Sequence, residues 1–200
     1  MAEFDPRSTT LTGKHARLEP LGLQHAQDLC EAGSSDDIWT YLPVPRPGNT
    51  REMESFVREA LEMAATGTSV PFAIMDAQGG KAVGSTRYLD IQHAHRGLEV
   101  GWTWLGSDHQ RTPINTECKL LLLQHAFEDH GAIRVQLKTD ALNVRSQVAI
   151  ERIGGKKEGV LRNHMIVQKG RVRDSVFFSI LDTEWPEVKK NLLRHLGRMP

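Results

Sequence analysis

The chain has 200 residues, 39% hydrophobic and 25% charged, and its Lys plus Arg and Asp plus Glu balance at 25 each. A formal net charge of zero argues against bulk electrostatic attraction to nucleic acid or an anionic membrane. Cys30 and Cys118 stand far apart, which excludes a disulfide framework and a CxxC motif.

This length suits one domain that buries about 70% of the surface exposed when unfolded. The longest apolar run, Leu120 to Leu123, is far too short to cross a bilayer. The first twenty residues lack the apolar core of a signal segment, so a cytoplasmic protein is expected.

In chain order, His15–Leu21 reads as a strand and Gln24–Gly33 as a helix stopped by glycine. "YLPVPRPGNT" holds three prolines and a glycine and reads as a loop. Asn49 or Thr50 caps the next helix, whose Met53, Phe56, Val57, Ala60, Leu61 and Ala64 keep helical spacing.

Three apolar runs follow, "VPFAIMD", "KAVGSTRYLDI" and "LEVGWTWL", joined by short turns as an antiparallel meander. A leucine-rich helix runs to Gly131, then the strand "IRVQLKTD" and a short helix from Asn143 ended by glycine. A hairpin turning at Lys169–Gly170 and an amphipathic helix, "DTEWPEVKKNLLRHL", close the chain.

The expected fold is α+β: a mixed, mostly antiparallel twisted sheet of about seven strands with helices on both faces, in the order βααβββαβαββα. The crossover between Leu98 and Asp140 calls for one parallel pair.

The seam "DHQRTPINTE" holds the first chemical candidate. A helix start leaves main-chain N–H groups without partners and carries partial positive charge, so it suits phosphate. Arg111 adds a cation, Thr112 a hydroxyl and Asn115 an amide. The structural alternative is a Thr112 cap with Pro113 at the first helical position. Asn143, Ser146, Gln147 and Ile150 share one helical face, amide-rich at one end and apolar at the other; alternatively, Asn143 caps its own helix. His93 and His95 alternate on a strand end, but nothing near them has metal-ligand spacing, and no metal is expected.

The order of these elements, "LEVGWTWL" before the Gln110 turn and "N-x-x-S-x-x-x-I" opening the second helix, resembles the GNAT superfamily of acyl-CoA N-acyltransferases. The ending, at Glu158–Arg162, Arg173–Asp174, Phe178–Leu181 and Glu184–Trp185, resembles the branch of ribosomal-protein N-terminal acetyltransferases. The likeness covers residues 11–196 as one domain, with 1–10 as an N-terminal tail.

The resemblance implies acetyl-CoA as co-substrate and direct acetyl transfer to a primary amine, on a small molecule or a protein N-terminus. An acyl-CoA-binding or regulatory domain without chemistry is the alternative. Cofactor contacts fall on Gln110, Arg111, Thr112, Ile114, Asn115 and Thr116 at the turn. Thr103, Trp104 and Leu105 supply the strand edge, and Asn143, Ser146 and Ile150 the second helix.

The family's pyrophosphate turn places glycines where Pro113 and Asn115 stand here, and proline has no N–H to give. Glu99 is the candidate base, put by strand alternation on the same side as Gly101 and Thr103; a structural salt bridge is its alternative role. The family often uses a tyrosine to protonate the leaving thiolate, but Tyr41 and Tyr88 are the only tyrosines and neither falls at that place. Ser146 resembles a serine given this role in the ribosomal-protein branch, and the resemblance implies it as the donor. Trp39, Tyr41 and His164 are assigned to the acceptor pocket. Homodimers occur among such proteins, and the C-terminal helix or an edge strand could pair.

Overall fold

A computed structural model describes residues 4–197. Eight strands form one sheet in the order β1-β2-β3-β4-β5-β6-β8-β7. They are β1 (Leu11–Thr12), β2 (Ala16–Pro20), β3 (Ser69–Asp76), β4 (Ala82–Gln92), β5 (Gly97–Leu105), β6 (Arg134–Asp140), β7 (Lys156–Ile166) and β8 (Val172–Leu181). The helices are α1 (Ala26–Ala32), α2 (Asp36–Trp39), α3 (Thr50–Ala65), α4 (Pro113–Gln124), α5 (Val144–Arg152) and α6 (Trp185–His195).

All neighbouring strands pair antiparallel except β5 with β6, the parallel pair the crossover requires. The strand beyond the expected seven is β1, only two residues long. The short helix α2 is additional to the expected order; its four residues carry no helical repeat. His93–His95 form a 3₁₀ turn rather than a strand end, so their side chains do not alternate as expected. No helix among the described residues is long and apolar enough to cross a membrane.

Two apolar layers flank the sheet. One joins Leu98, Val100 and Leu105 of β5 to Ile114, Cys118 and Leu122 of α4. Phe4, ahead of β1, is buried in this layer as well. The other joins Trp104 to Leu29 of α1, Trp39 of α2, and Met53 and Phe56 of α3. Glu117 fastens the start of α4 to the first hairpin. Its fully buried carboxylate accepts the main-chain N–H groups of Lys14 (3.0 Å), His15 and Ala16 (2.7 Å).

Candidate active site

The site begins with a failure of pairing. β5 and β6 hydrogen-bond only from Gly97↔Arg134 to Glu99↔Gln136, then separate, although β5 continues to Leu105 and β6 to Asp140. The cause lies on the other edge of β5. Ser85 pairs with Trp104 and Arg87 with Gly101, so one residue of β4 faces two of β5. Trp102 supplies the extra residue in the left-handed region, at φ 51°. Such a bulge bends its strand and takes main-chain groups out of the ladder.

The bulge corrects one expectation. An inserted residue reverses alternation, so Glu99 and Thr103 lie on opposite faces of the sheet. Leu98, Val100 and Leu105 pack on the α4 layer, whereas Trp102 and Trp104 pack on the α1–α3 layer. Thr103 accordingly meets α4: Lys119 Nζ donates to its Oγ1 at 2.9 Å, and that oxygen lies 2.7 Å from Thr86 Oγ1. Lys119 is buried, and desolvation lowers its pKa to about 8. Cys118 beside it is buried too, its thiol pushed up to about 12 by desolvation, so it offers no thiolate.

A cleft of about 700 Å³ fills the gap between the separating strands. This lies within the range of small-molecule and cofactor sites. The two polar surfaces singled out in the sequence converge on it. From the turn come Gln110, Arg111, Thr112, Asn115 and Thr116; from α5 come Asn143, Ser146 and Ile150; Thr103, Trp104 and Leu105 form the strand edge.

Side chains tie these surfaces together. Arg145 donates to Gln110 Oε1 (3.0 Å), while Gln110 Nε2 donates to the Leu105 carbonyl (3.0 Å). Farther along, Arg152 donates to Thr116 Oγ1 at 3.0 Å.

The capping roles of Thr112 and Asn143 also hold. Thr112 Oγ1 accepts from Ile114 N–H ahead of Pro113, and Asn143 Oδ1 accepts from Ser146 N–H. Thr112 Oγ1 also donates to the His109 carbonyl at 2.8 Å, and both capping residues line the cleft as well.

Glu99 reaches the cleft from the face opposite α4. It is 2% exposed; Lys138 Nζ lies 3.1 Å away and Gln136 Nε2 donates at 3.0 Å. Tyr41 lines the same end with Leu42 and Pro43.

Three expected site residues stand back from the cleft. Ile114 is buried in the core under α4. Trp39 is buried behind Trp104, 5.0 Å between ring centroids, with its Nε1 donating to the Gly33 carbonyl. His164 lies 3.0 Å from Ser175 Oγ and packs edge-on against Phe177.

The residues missed are cations: Lys119, Lys138, Arg145, Arg152 and Arg173. Lys119 was legible, because it falls one turn beyond Thr116 on the same helical face. Arg173 is 5% exposed and its Nε donates to Ser175 Oγ at 3.0 Å.

This architecture has close counterparts. A crystal structure of a GCN5-related N-acetyltransferase from Brucella melitensis superposes with a TM-score of 0.89 at 32% identity, over 95% of this chain and 86% of that one. The RimJ protein of Mycobacterium smegmatis, crystallised in complex with CoA-disulfide, shares the fold with a TM-score of 0.80 at 21% identity, over 99% of this chain and 98% of that one. Among curated proteins, the uncharacterized N-acetyltransferase p20 of Bacillus licheniformis is 22% identical over 88% of this chain and 98% of its own. The family model described as the acetyltransferase (GNAT) domain matches residues 15–156. The protein thus belongs to the GNAT family of acetyltransferases, whose fold uses acetyl-CoA.

Proposed function

We propose that this acetyltransferase moves the acetyl group of acetyl-CoA directly to a primary amine, with donor and acceptor bound together. The observation that carries the reading is the convergence of the α4 start and the Asn143–Ser146 edge on one cleft that passes through the sheet. The diphosphate meets the first-turn N–H group of Asn115, which has no acceptor within the helix. Arg111 and Arg145 stand at the same mouth and replace the donor that Pro113 lacks. The pantetheine arm runs along β5, whose edge is unpaired beyond Glu99, and takes main-chain hydrogen bonds as an added strand does.

At the bulge, main-chain groups of Trp102–Thr103 are free of the ladder, and an N–H there meets the thioester oxygen as it becomes an oxyanion. The amine arrives from the Glu99 face as a neutral nucleophile. Its nitrogen bonds to the thioester carbon, its proton passes to Glu99 directly or through water, and the carbon–sulfur bond breaks. The Ser146 hydroxyl donates to the departing thiolate. Asn143 orients the thioester arm. Glu99 is held by Lys138 and Gln136, so the carboxylate is oriented before the amine arrives.

Replacing Glu99→Gln is expected to lower kcat about 100-fold or more, the scale of general-base catalysis, and Ser146→Ala about tenfold, the scale of one lost hydrogen bond. Both variants should still bind acetyl-CoA. Thiol release with a panel of amines and a thermal shift with acetyl-CoA read the two properties separately. Wild-type turnover in both variants would remove these roles. Binding without release from any amine by the wild type would leave a donor-binding domain instead.

A further inference from the structure

The acceptor end of the cleft holds one more group whose bonding is incomplete. Arg173 lines the cleft and is 5% exposed, on the Glu99 face rather than the α4 face. Its Nε is engaged by Ser175, but its two terminal nitrogens have no hydrogen-bond partner among the described residues. A guanidinium that is buried and left with an open fork suits a planar, bidentate acceptor.

The charges around it point the same way. Asp140, 1% exposed, takes Arg171 at 2.5 Å and stands 3.9 Å from Arg173. Glu99 takes Lys138. Three cations therefore meet two carboxylates, and Arg173 holds the longest of these pairs, 3.9 Å from Asp140 through Nε. The donor's phosphates do not supply it, because they sit at the α4 mouth with Arg111 and Arg145 on the other side of the sheet.

We propose that the acceptor is a primary amine carrying a carboxylate close to the amine, and that the Arg173 guanidinium receives that carboxylate. The proposal rests on the transfer reading above and names the substrate class of the same cleft. Two sources share this chemistry: the α-carboxylate of a free amino acid, and an acidic side chain beside a polypeptide N-terminus. Polyamines carry the wrong charge for this end of the cleft.

The test compares matched acceptors in thiol-release assays: alanine against alaninamide, and a peptide amide with Asp at its second position against the same peptide with Asn. Spermidine serves as the polycation. In the wild type, the carboxylate member of one pair should exceed its neutral partner in kcat/KM by about tenfold to 100-fold, the worth of a charge-assisted pair. Which pair responds identifies the source.

Arg173→Met should bring that ratio close to one, and Arg173→Lys should keep part of it. Melting curves of both variants check the fold. Equal use of both members of each pair, a ratio that survives Arg173→Met, or preference for spermidine overturns the proposal. Calorimetric binding of the same amines to the CoA-bound protein separates the two readings. Binding that depends on Arg173 without any thiol release would refute transfer and keep the subsite.

Discussion

Lys119 shows how one buried charge makes a measurable demand on the fold. Desolvation holds its pKa near 8 in the folded protein, below the ordinary lysine value of about 10.4. The folded state therefore penalises the protonated form. That penalty is complete below about pH 8 and fades as pH rises toward the unfolded value, so wild-type stability should climb through that window. Lys119→Met should melt higher than wild type at pH 7, by up to about 3 kcal/mol, and the advantage should shrink by pH 10. An advantage unchanged across pH 7 to 10 would contradict this. Helical spacing places Lys119 one turn beyond Thr116, on the same face, so that much could have been found in the sequence. Strand alternation failed for Thr103 because the bulge at Trp102 is a backbone event that no side-chain pattern announces.

Two elements around α4 carry predictions of their own. The first is the clamp at Glu117, where a carboxylate gathers three N–H groups of the β1–β2 turn. Glu117→Gln keeps the shape but leaves one acceptor oxygen for those donors, and should destabilise the protein by about 2–4 kcal/mol in denaturant unfolding. A loss below about 0.5 kcal/mol would show that the turn is held by other contacts.

The second is the wide helical turn His125–Asp129 that ends α4. His125 lies 3.2 Å from Tyr88 Oη and 3.1 Å from His130 Nε2. Burial, with His130 adding to it, lowers its pKa to about 4. The unfolded chain binds this proton near pH 6.5 and the folded one only near 4, so stability should fall as pH drops between them. His125→Gln should lack that part of the acid response in melting curves. Helix and strand identities here were legible from periodicity and glycine stops, whereas the wide turn depends on the packing of His125 against Tyr88.

At the level of the whole molecule, the cleft depends on both halves of the sheet, and donor binding should stiffen it as a unit. Acetyl-CoA at 100 times its dissociation constant adds about 2.7 kcal/mol, which for a domain of this size raises Tm by about 5–10 °C. The shift should diminish in Arg145→Ala and at high salt, because part of the grip is electrostatic. An equal shift in Arg145→Ala would move the phosphates away from that mouth. The convergence of the two polar surfaces was legible from their order along the chain. The cations between them were less so, because Arg152, Lys138 and Arg173 meet the cleft through strand and helix packing rather than through any local motif.

The tip of the β7–β8 hairpin carries one further consequence. Gln168 Nε2 donates to the carbonyls of Trp39 (2.8 Å), Leu42 (2.8 Å) and Val44 (2.6 Å), and so ties the proline-rich loop beside Tyr41 to a turn 124 to 129 residues away. The proline-rich rim beside Tyr41 is thus written in two distant passages of the chain. A graft of residues 40–48 from another acetyltransferase should transfer that enzyme's amine preference only when the residue facing those three carbonyls travels with it.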